Sequence, residues 1–274
     1  MTEKIANTPT EIMARVRARK PLVHHITNFV VMNQTANITL CAGALPVMAH
    51  AKEEIAEMTS SASALVLNLG TLWPEQVEAM LLAGRRANER GIPIVLDPVG
   101  AGATRLRTDS ARRLLSELSI AIVRANVAET AVLAGLEANI SGVESLSATE
   151  DAASVAFKFA QQHGCVAAVT GPIDVVTDGS RVFNVANGHP LMGKVTGTGC
   201  MATSVVAAYA AVEHDYVMAA ASALAAYGLA GEIAAERAHG PGTFQVHLYD
   251  ALAGLTEEVL QRGARIGVGQ REYA

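Results

Sequence analysis

Short apolar runs alternate with stretches of helical spacing along most of the chain, and this alternation narrows the possible folds more than any other feature. Runs at Pro21–His25, Leu45–Ala49, Ala64–Leu69, Ile92–Leu96, Ile120–Val123 and Val166–Thr170 read as strands. Between them, helices are expected at Pro9–Arg19 (opened by a capping-box-like Thr8-Pro9-Thr10-Glu11), Asn28–Ala42, Lys52–Ser61, Pro74–Arg90, Thr108–Leu118, from Asn126, and over Thr149–His163. Ile173–Thr177 and Arg181–Ala186 flank Asp178-Gly179-Ser180 and predict a hairpin. Leu136–Ala148 holds no periodicity and reads as a surface loop, and a helical tail is broken near Asp215 and at Gly240-Pro241-Gly242. Strands alternating with helices specify an α/β fold, a mostly parallel sheet covered on both faces. No repeat or linker interrupts it, so residues 1–274 are expected to form one domain.

In such a sheet, ligands bind beyond the carboxyl ends of the strands. Asn28, Gly70, Asp97, Arg124, Thr170 and the Gly197–Cys200 turn all follow apolar runs, so they are expected to meet at one rim. The stretch Gly193–Ala211, GKVTGTGCMATSVVAAYAA, carries the strongest chemistry. A Gly/Thr turn opening a helix presents unpaired N–H groups at the positive end of the helix dipole, and this arrangement binds anions. Gly197, Thr198, Gly199 and Cys200 form the expected anion hole, and Cys200 lies where the dipole favours a thiolate.

Charged residues make up 17% of the chain and the formal net charge is −5, which provides no basic footprint for nucleic acid. The polar N-terminus lacks a signal-peptide core, and the apolar tract Met201–Val212 is too short to span a membrane. Cys41, Cys165 and Cys200 have no metal-ligand spacing and read as free thiols in a reducing cytoplasm.

Asp97 ends an apolar run before Pro98, and Glu129 opens a helix; together at one rim they suit Mg²⁺ beside polyphosphate, while singly each reads as a turn or helix-end carboxylate. Arg124 is costly at a strand end unless it meets an anion, either a phosphate or one of these carboxylates. Lys194 can steer phosphate or simply be solvated, and Met48 can line a heteroaromatic pocket or the core. His24 and His25 have no partner at recognisable spacing and read as structural. No Walker A, protein-kinase or cysteine-protease signature is present, which favours phosphoryl over acyl transfer.

Pro21-Leu22-Val23-His24, Ile26-Thr27-Asn28, Leu45-Pro46-Val47-Met48-Ala49, the Asp97-Pro98-Val99-Gly100-Ala101-Gly102 run, Thr196-Gly197-Thr198-Gly199-Cys200 and Gly240-Pro241-Gly242-Thr243-Phe244 occur in this order. With them the chain resembles the hydroxyethylthiazole kinase family along nearly its whole length. The resemblance implies a ribokinase-like fold and ATP- and Mg²⁺-dependent phosphorylation of 4-methyl-5-(2-hydroxyethyl)thiazole in thiamine biosynthesis. It also implies a homotrimer with active sites at subunit interfaces. By resemblance Met48, Gly197 and Asn28 contact the thiazole alcohol, and Arg124 and Thr170 contact ATP. Asp97 and Glu129 take the metal–phosphate positions, and Cys200 stands where most ribokinase relatives carry a catalytic aspartate. Ala125 replaces a common glycine, which bears on the backbone beside Arg124. Thr170-Gly171-Pro172 replaces Thr-Gly-Glu and removes a carboxylate near the nucleotide. The alternatives are a hydroxymethylpyrimidine-kinase-like enzyme, where aspartate is expected in place of Cys200, and a nucleotide-binding dehydratase or ligand-binding module on the same fold.

Overall fold

Successive side chains of a strand point to opposite faces, and in residues 64–68 the sorting is complete. Ala64 and Val66 join one apolar cluster, while Leu65 and Leu67 join the other. The computed structural model describes residues 2–136 and 152–269. In order, the elements are α1 (Thr2–Arg19), β1 (Leu22–Ile26), α2 (Met32–Ala42), β2 (Leu45–Val47), α3 (Lys52–Ser61), β3 (Ala64–Asn68) and α4 (Pro74–Arg90). There follow β4 (Ile94–Asp97), α5 (Arg105–Glu117), β5 (Ile122–Asn126), α6 (Val127–Leu133), α7 (Ala152–His163), β6 (Val166–Thr170), β7 (Asp174–Thr177) and β8 (Val182–Val185). A 3₁₀ turn at Pro190–Lys194 leads into α8 (Thr198–Ala210), α9 (Tyr216–Arg237), α10 (Pro241–Ala253), α11 (Glu257–Gly263) and β9 (Ile266–Val268).

The sheet order is β2-β1-β3-β4-β5-β6-β7-β8-β9, parallel from β2 to β6 and antiparallel from β6 to β9. One face packs on α1, α2 and α8–α11, through residues such as Ile12, Ile38, Val205 and Phe244. The other packs on α3, α4, α5 and α7, through Ile55, Met80, Leu114 and Phe159. Strand order reverses at β1, with β2 on one side and β3 on the other. That reversal opens a crevice at the carboxyl ends, the usual ligand position in open parallel sheets.

The differences from the sequence expectations have local causes. Helix α1 begins at Thr2 and contains Pro9, so Thr8 does not cap it. The hydrogen bond that proline removes is offset by burial of Ile12, Met13 and Val16. Helix α2 starts only at Met32, because Asn28 Oδ1 accepts the Val30 N–H at 3.1 Å and holds the preceding residues in a turn. Helix α5 starts earlier than expected, capped by the Thr104 hydroxyl. Strand β9 and the 3₁₀ turn carry no recognisable sequence period. The loop expected at 136–148 lies, apart from Leu136, outside the described residues, as do residues 149–151 of the helix expected there. Helix α9 is long and apolar enough to cross a membrane by length and composition, but 83% of that window is buried against the protein.

His24 and His25 are structural, as expected. His24 lies between the Thr59 hydroxyl (3.0 Å) and the Ala49 carbonyl (2.8 Å), and His25 Nδ1 is 3.0 Å from the Val23 carbonyl. Burial pushes His25 down to about 4. The unfolded chain, titrating near 6.5, therefore binds more protons between these limits, and stability falls as pH drops through that window. Asp174, raised by burial to about 7, acts in the opposite sense, so a variant is needed to isolate His25. In urea unfolding, the advantage of wild type over His25→Gln should shrink by about 2 kcal/mol between pH 7.5 and pH 5. A constant difference would mean that His25 charges freely within the fold.

Candidate active site

The rim residues meet as the strand ends require. Gly197 caps α8 with φ +90° and ψ −1°, a left-handed conformation that favours glycine. Any Cβ there would stand 2.7 Å from Val31 Cγ1. The first intrahelical N–H bond of α8 runs from Met201 to the Gly197 carbonyl. The preceding N–H groups of Thr198, Gly199 and Cys200 thus form the open helix end. The Thr198 hydroxyl does not face an incoming anion, because it closes the turn on the Met192 carbonyl at 2.7 Å.

Arg124 lies across this turn, so close that a Cβ on Gly199 would meet its Nη1 at 2.8 Å. Its Nη2 donates to Asp97 Oδ1 at 2.8 Å, Nε to the Thr203 hydroxyl at 3.0 Å and Nη1 to the Thr170 hydroxyl at 3.2 Å. Burial alone would lower its pKa, but Asp97 and Glu129 outweigh burial and hold it up. Asp97 is the carboxylate partner that the sequence left open for Arg124. Ala125 sits in regular β5 pairing opposite Val169, so alanine leaves the backbone beside Arg124 undistorted.

Asp97 Oδ2 accepts from Asn68 Nδ2 (2.9 Å) and Thr203 Oγ1 (2.8 Å). Glu129 completes a capping box with Asn126 and also takes the Gly100 N–H at 2.7 Å. Burial first, then the neighbouring Asp97 charge, push Glu129 up. Among the described residues, no group of three or more His, Cys, Asp or Glu side chains could cage a metal. Mg²⁺ is commonly held by one or two carboxylates with water and substrate phosphate. Two buried carboxylates, with Glu129 raised in part by the Asp97 charge, fit that mode.

The structure corrects the expectation for Cys200. Burial and Asp97 push its thiol up to about 11, against the lowering by Arg124 and by the Asn68 and Asn28 amides. The helix start does not produce a resting thiolate, because the sulfur is buried beside a carboxylate. Asn28 joins the same cluster, its Nδ2 lying 2.7 Å from Asn68 Oδ1 and 3.6 Å from Cys200 Sγ. Met48 follows edge strand β2 half-buried, and Lys194 is exposed.

A cavity of about 530 Å³ opens beside the turn, walled by Arg124, Thr170, Thr198, Gly199, Tyr227 and Gly228, among others. Asn28, Met48 and Cys200 lie outside its lining. Pro172 lines it without a carboxylate, yet Asp174 supplies one in the same wall, accepting the Gly171 N–H at 2.9 Å. Sequence reasoning missed Asp174, Asn68, Thr203 and Arg107. Arg107 ties the loops after β3 and β4 by donating to the carbonyls of Leu69, Gly70 and Val99. Asn68 was the one with a visible signal, as the polar end of an otherwise apolar strand.

The sequence model described as the hydroxyethylthiazole kinase family matches residues 13–258. A hydroxyethylthiazole kinase from Chloroflexus aurantiacus is 58% identical over 266 residues, covering 97% of each chain. The solved structure of a hydroxyethylthiazole kinase protein from Pyrococcus horikoshii superposes with a TM-score of 0.89 at 45% identity, over 96% of this chain and 99% of that one. A ribokinase-like superfamily protein from Enterococcus faecalis, 12% identical, shares the fold with a TM-score of 0.65 over 90% of this chain and 95% of its own. The fold is therefore ribokinase-like, and the chain belongs to the hydroxyethylthiazole kinase family.

Proposed function

We propose that this protein transfers the γ-phosphoryl group of ATP to the primary hydroxyl of 4-methyl-5-(2-hydroxyethyl)thiazole, releasing ADP, in cytoplasmic thiazole salvage for thiamine biosynthesis. The observation that carries this reading is the meeting of Arg124, Thr170 and the α8 turn on one cavity wall, next to Cys200 and Asn28. Arg124 and Thr170 bind the nucleotide, and the N–H groups from Thr198 to Cys200 face the oxygens that gain charge. Gly197, Asn28 and Met48 hold the thiazole alcohol. Asp97 and Glu129 would hold Mg²⁺, which would supply charge neutralisation to the phosphates.

The alcohol oxygen forms a bond to the γ-phosphorus as the bond to the ADP oxygen breaks, and the hydroxyl proton passes to Cys200 as thiolate. A loose transition state makes positioning and charge stabilisation more important than early proton removal. The small thiolate fraction at neutral pH is compatible with that division of labour.

We also propose a homotrimer whose interfaces complete the thiazole pocket. Apolar side chains stand exposed around the β2 edge of the sheet and the helices next to it: Phe29 and Val30 after β1, Leu40 on α2, Leu45 on β2 and Val246 on α10, which packs on α2. A monomer leaves such groups in water, whereas a subunit interface covers them.

In a coupled assay, ADP should appear only when thiazole alcohol, ATP and Mg²⁺ are all present. Equal turnover of a hydroxymethylpyrimidine, or full activity in excess chelator, would sink the assignment. Light scattering should report a trimer, and Leu40→Glu should yield smaller species that bind nucleotide but lose thiazole; a fully active monomer refutes the shared pocket. Cys200→Ala should slow turnover by about 10²–10⁴-fold, or less if the transition state is loose, while Cys200→Asp stays active. Gly197→Val should do worse than either, since it opposes φ +90° and collides with Val31. Because the Cys200 thiol is raised, wild-type turnover should climb from pH 7 to 9 and Cys200→Asp should flatten the profile. A flat wild-type profile would mean that the proton leaves by another route.

A further inference from the structure

We infer that Asn68 is a positioning residue for phosphoryl transfer, aiming Cys200 Sγ at the alcohol while holding Asn28 and Asp97 in place around it. The inference rests on the kinase reading above. Asn68 closes β3 directly opposite Asp97 of β4 and is 1% exposed. Its side chain has two partners at each end. Oδ1 accepts from Asn28 Nδ2 at 2.7 Å and from the Gly70 N–H at 2.9 Å. Nδ2 donates to Asp97 Oδ2 at 2.9 Å and to Cys200 Sγ at 3.2 Å.

The two ends of an amide are told apart by their partners. A backbone N–H only donates, so the atom facing Gly70 is oxygen. An ionised carboxylate only accepts, so the atom facing Asp97 is nitrogen. Both constraints agree, and Cys200 Sγ must then present an electron pair to Asn68. Asn28 Nδ2 is a second donor to it at 3.6 Å, and its remaining directions are left for the substrate hydroxyl. A purely local role, a side chain turning back on its own loop, accounts for the Gly70 contact alone. The other three bonds reach Asn28, Asp97 and Cys200, which come from the turn after β1, from β4 and from α8 and all belong to the site. They complete a continuous line from Arg124 through Asp97 and Asn68 to the sulfur.

The test is a double-mutant cycle in the full-length protein, read as ADP release. Asn68→Asp keeps an acceptor for Gly70 and Asn28 but removes the donors toward Asp97 and Sγ. In the wild-type background its kcat should fall by about 10–100-fold with KM for ATP little changed; in the Cys200→Ala background the factor should be about tenfold smaller, what remains being the loss through Asp97 and Asn28, since coupled neighbours are non-additive. Equal factors in the two backgrounds would overturn the inference, because a residue that merely supports the fold costs the same whether or not the sulfur is there. If circular dichroism shows Asn68→Asp unfolded, Asn68→Ser takes its place in the same cycle under the same criterion. Wild type releasing no ADP overturns the kinase reading and this inference together. Wild type turning over with an additive cycle overturns the role of Asn68 alone.

Discussion

The buried pair of Arg124 and Asp97 is the contact on which the rim depends. Their side chains are 8% and 0% exposed, so both charges are almost wholly removed from water. Such a pair adds little net stability, because desolvation offsets most of the attraction, but removing one partner strands the other at a cost of about 3–5 kcal/mol. The structure answers by giving each group further partners. Thr203 accepts from Arg124 Nε and donates to Asp97 Oδ2, so one hydroxyl of α8 joins both members. Thus β4, β5 and α8 are set against one another by a contact that tolerates almost no displacement.

That constraint explains the small-residue character of the two central helices. Helix α8 must bring its first turn against the guanidinium, and Gly199 lets it do so. Helix α9 then packs on α8 with alanine or glycine at Ala219–Ala221, Ala223, Ala225, Ala226 and Gly228. Tyr227 breaks this run, and its hydroxyl donates to the Thr198 carbonyl at 3.0 Å, steadying the turn from behind. An apolar helix of this length looks membrane-like in isolation. Here its composition follows from close packing between helices and sheet.

Much of the fold was legible because period and punctuation agree. Lys52–Ser61, Pro74–Arg90 and Val166–Thr170 have the expected bounds, since proline, glycine and apolar spacing mark them locally. The rim was legible through the rule that polar residues ending parallel strands converge. What stayed hidden depends on contacts distant in sequence. Thr203 looks like an ordinary helical threonine until Asp97, 106 residues away, is placed beside it. Asp174 looks like the start of a hairpin strand until the chain folds it into the cavity wall with Arg124. The Cys200 thiol illustrates the same limit: the helix end is a local feature and was foreseen, whereas burial and Asp97 arrive with the tertiary fold and win.

The charge balance of the rim bears on what can bind there. Asp97, Glu129 and Asp174 set three buried carboxylates around a single buried guanidinium. Burial pushes both Glu129 and Asp174 up, and at Glu129 the neighbouring Asp97 charge adds to it. A polyphosphate entering alone would add to that excess, and the partial positive charge at the α8 N-terminus, roughly half an elementary charge, is too small to balance it. On the proposed kinase reading, positive charge entering with the nucleotide would restore the balance. On that reading, the carboxylates that would repel a bare phosphate chain would favour its cation complex.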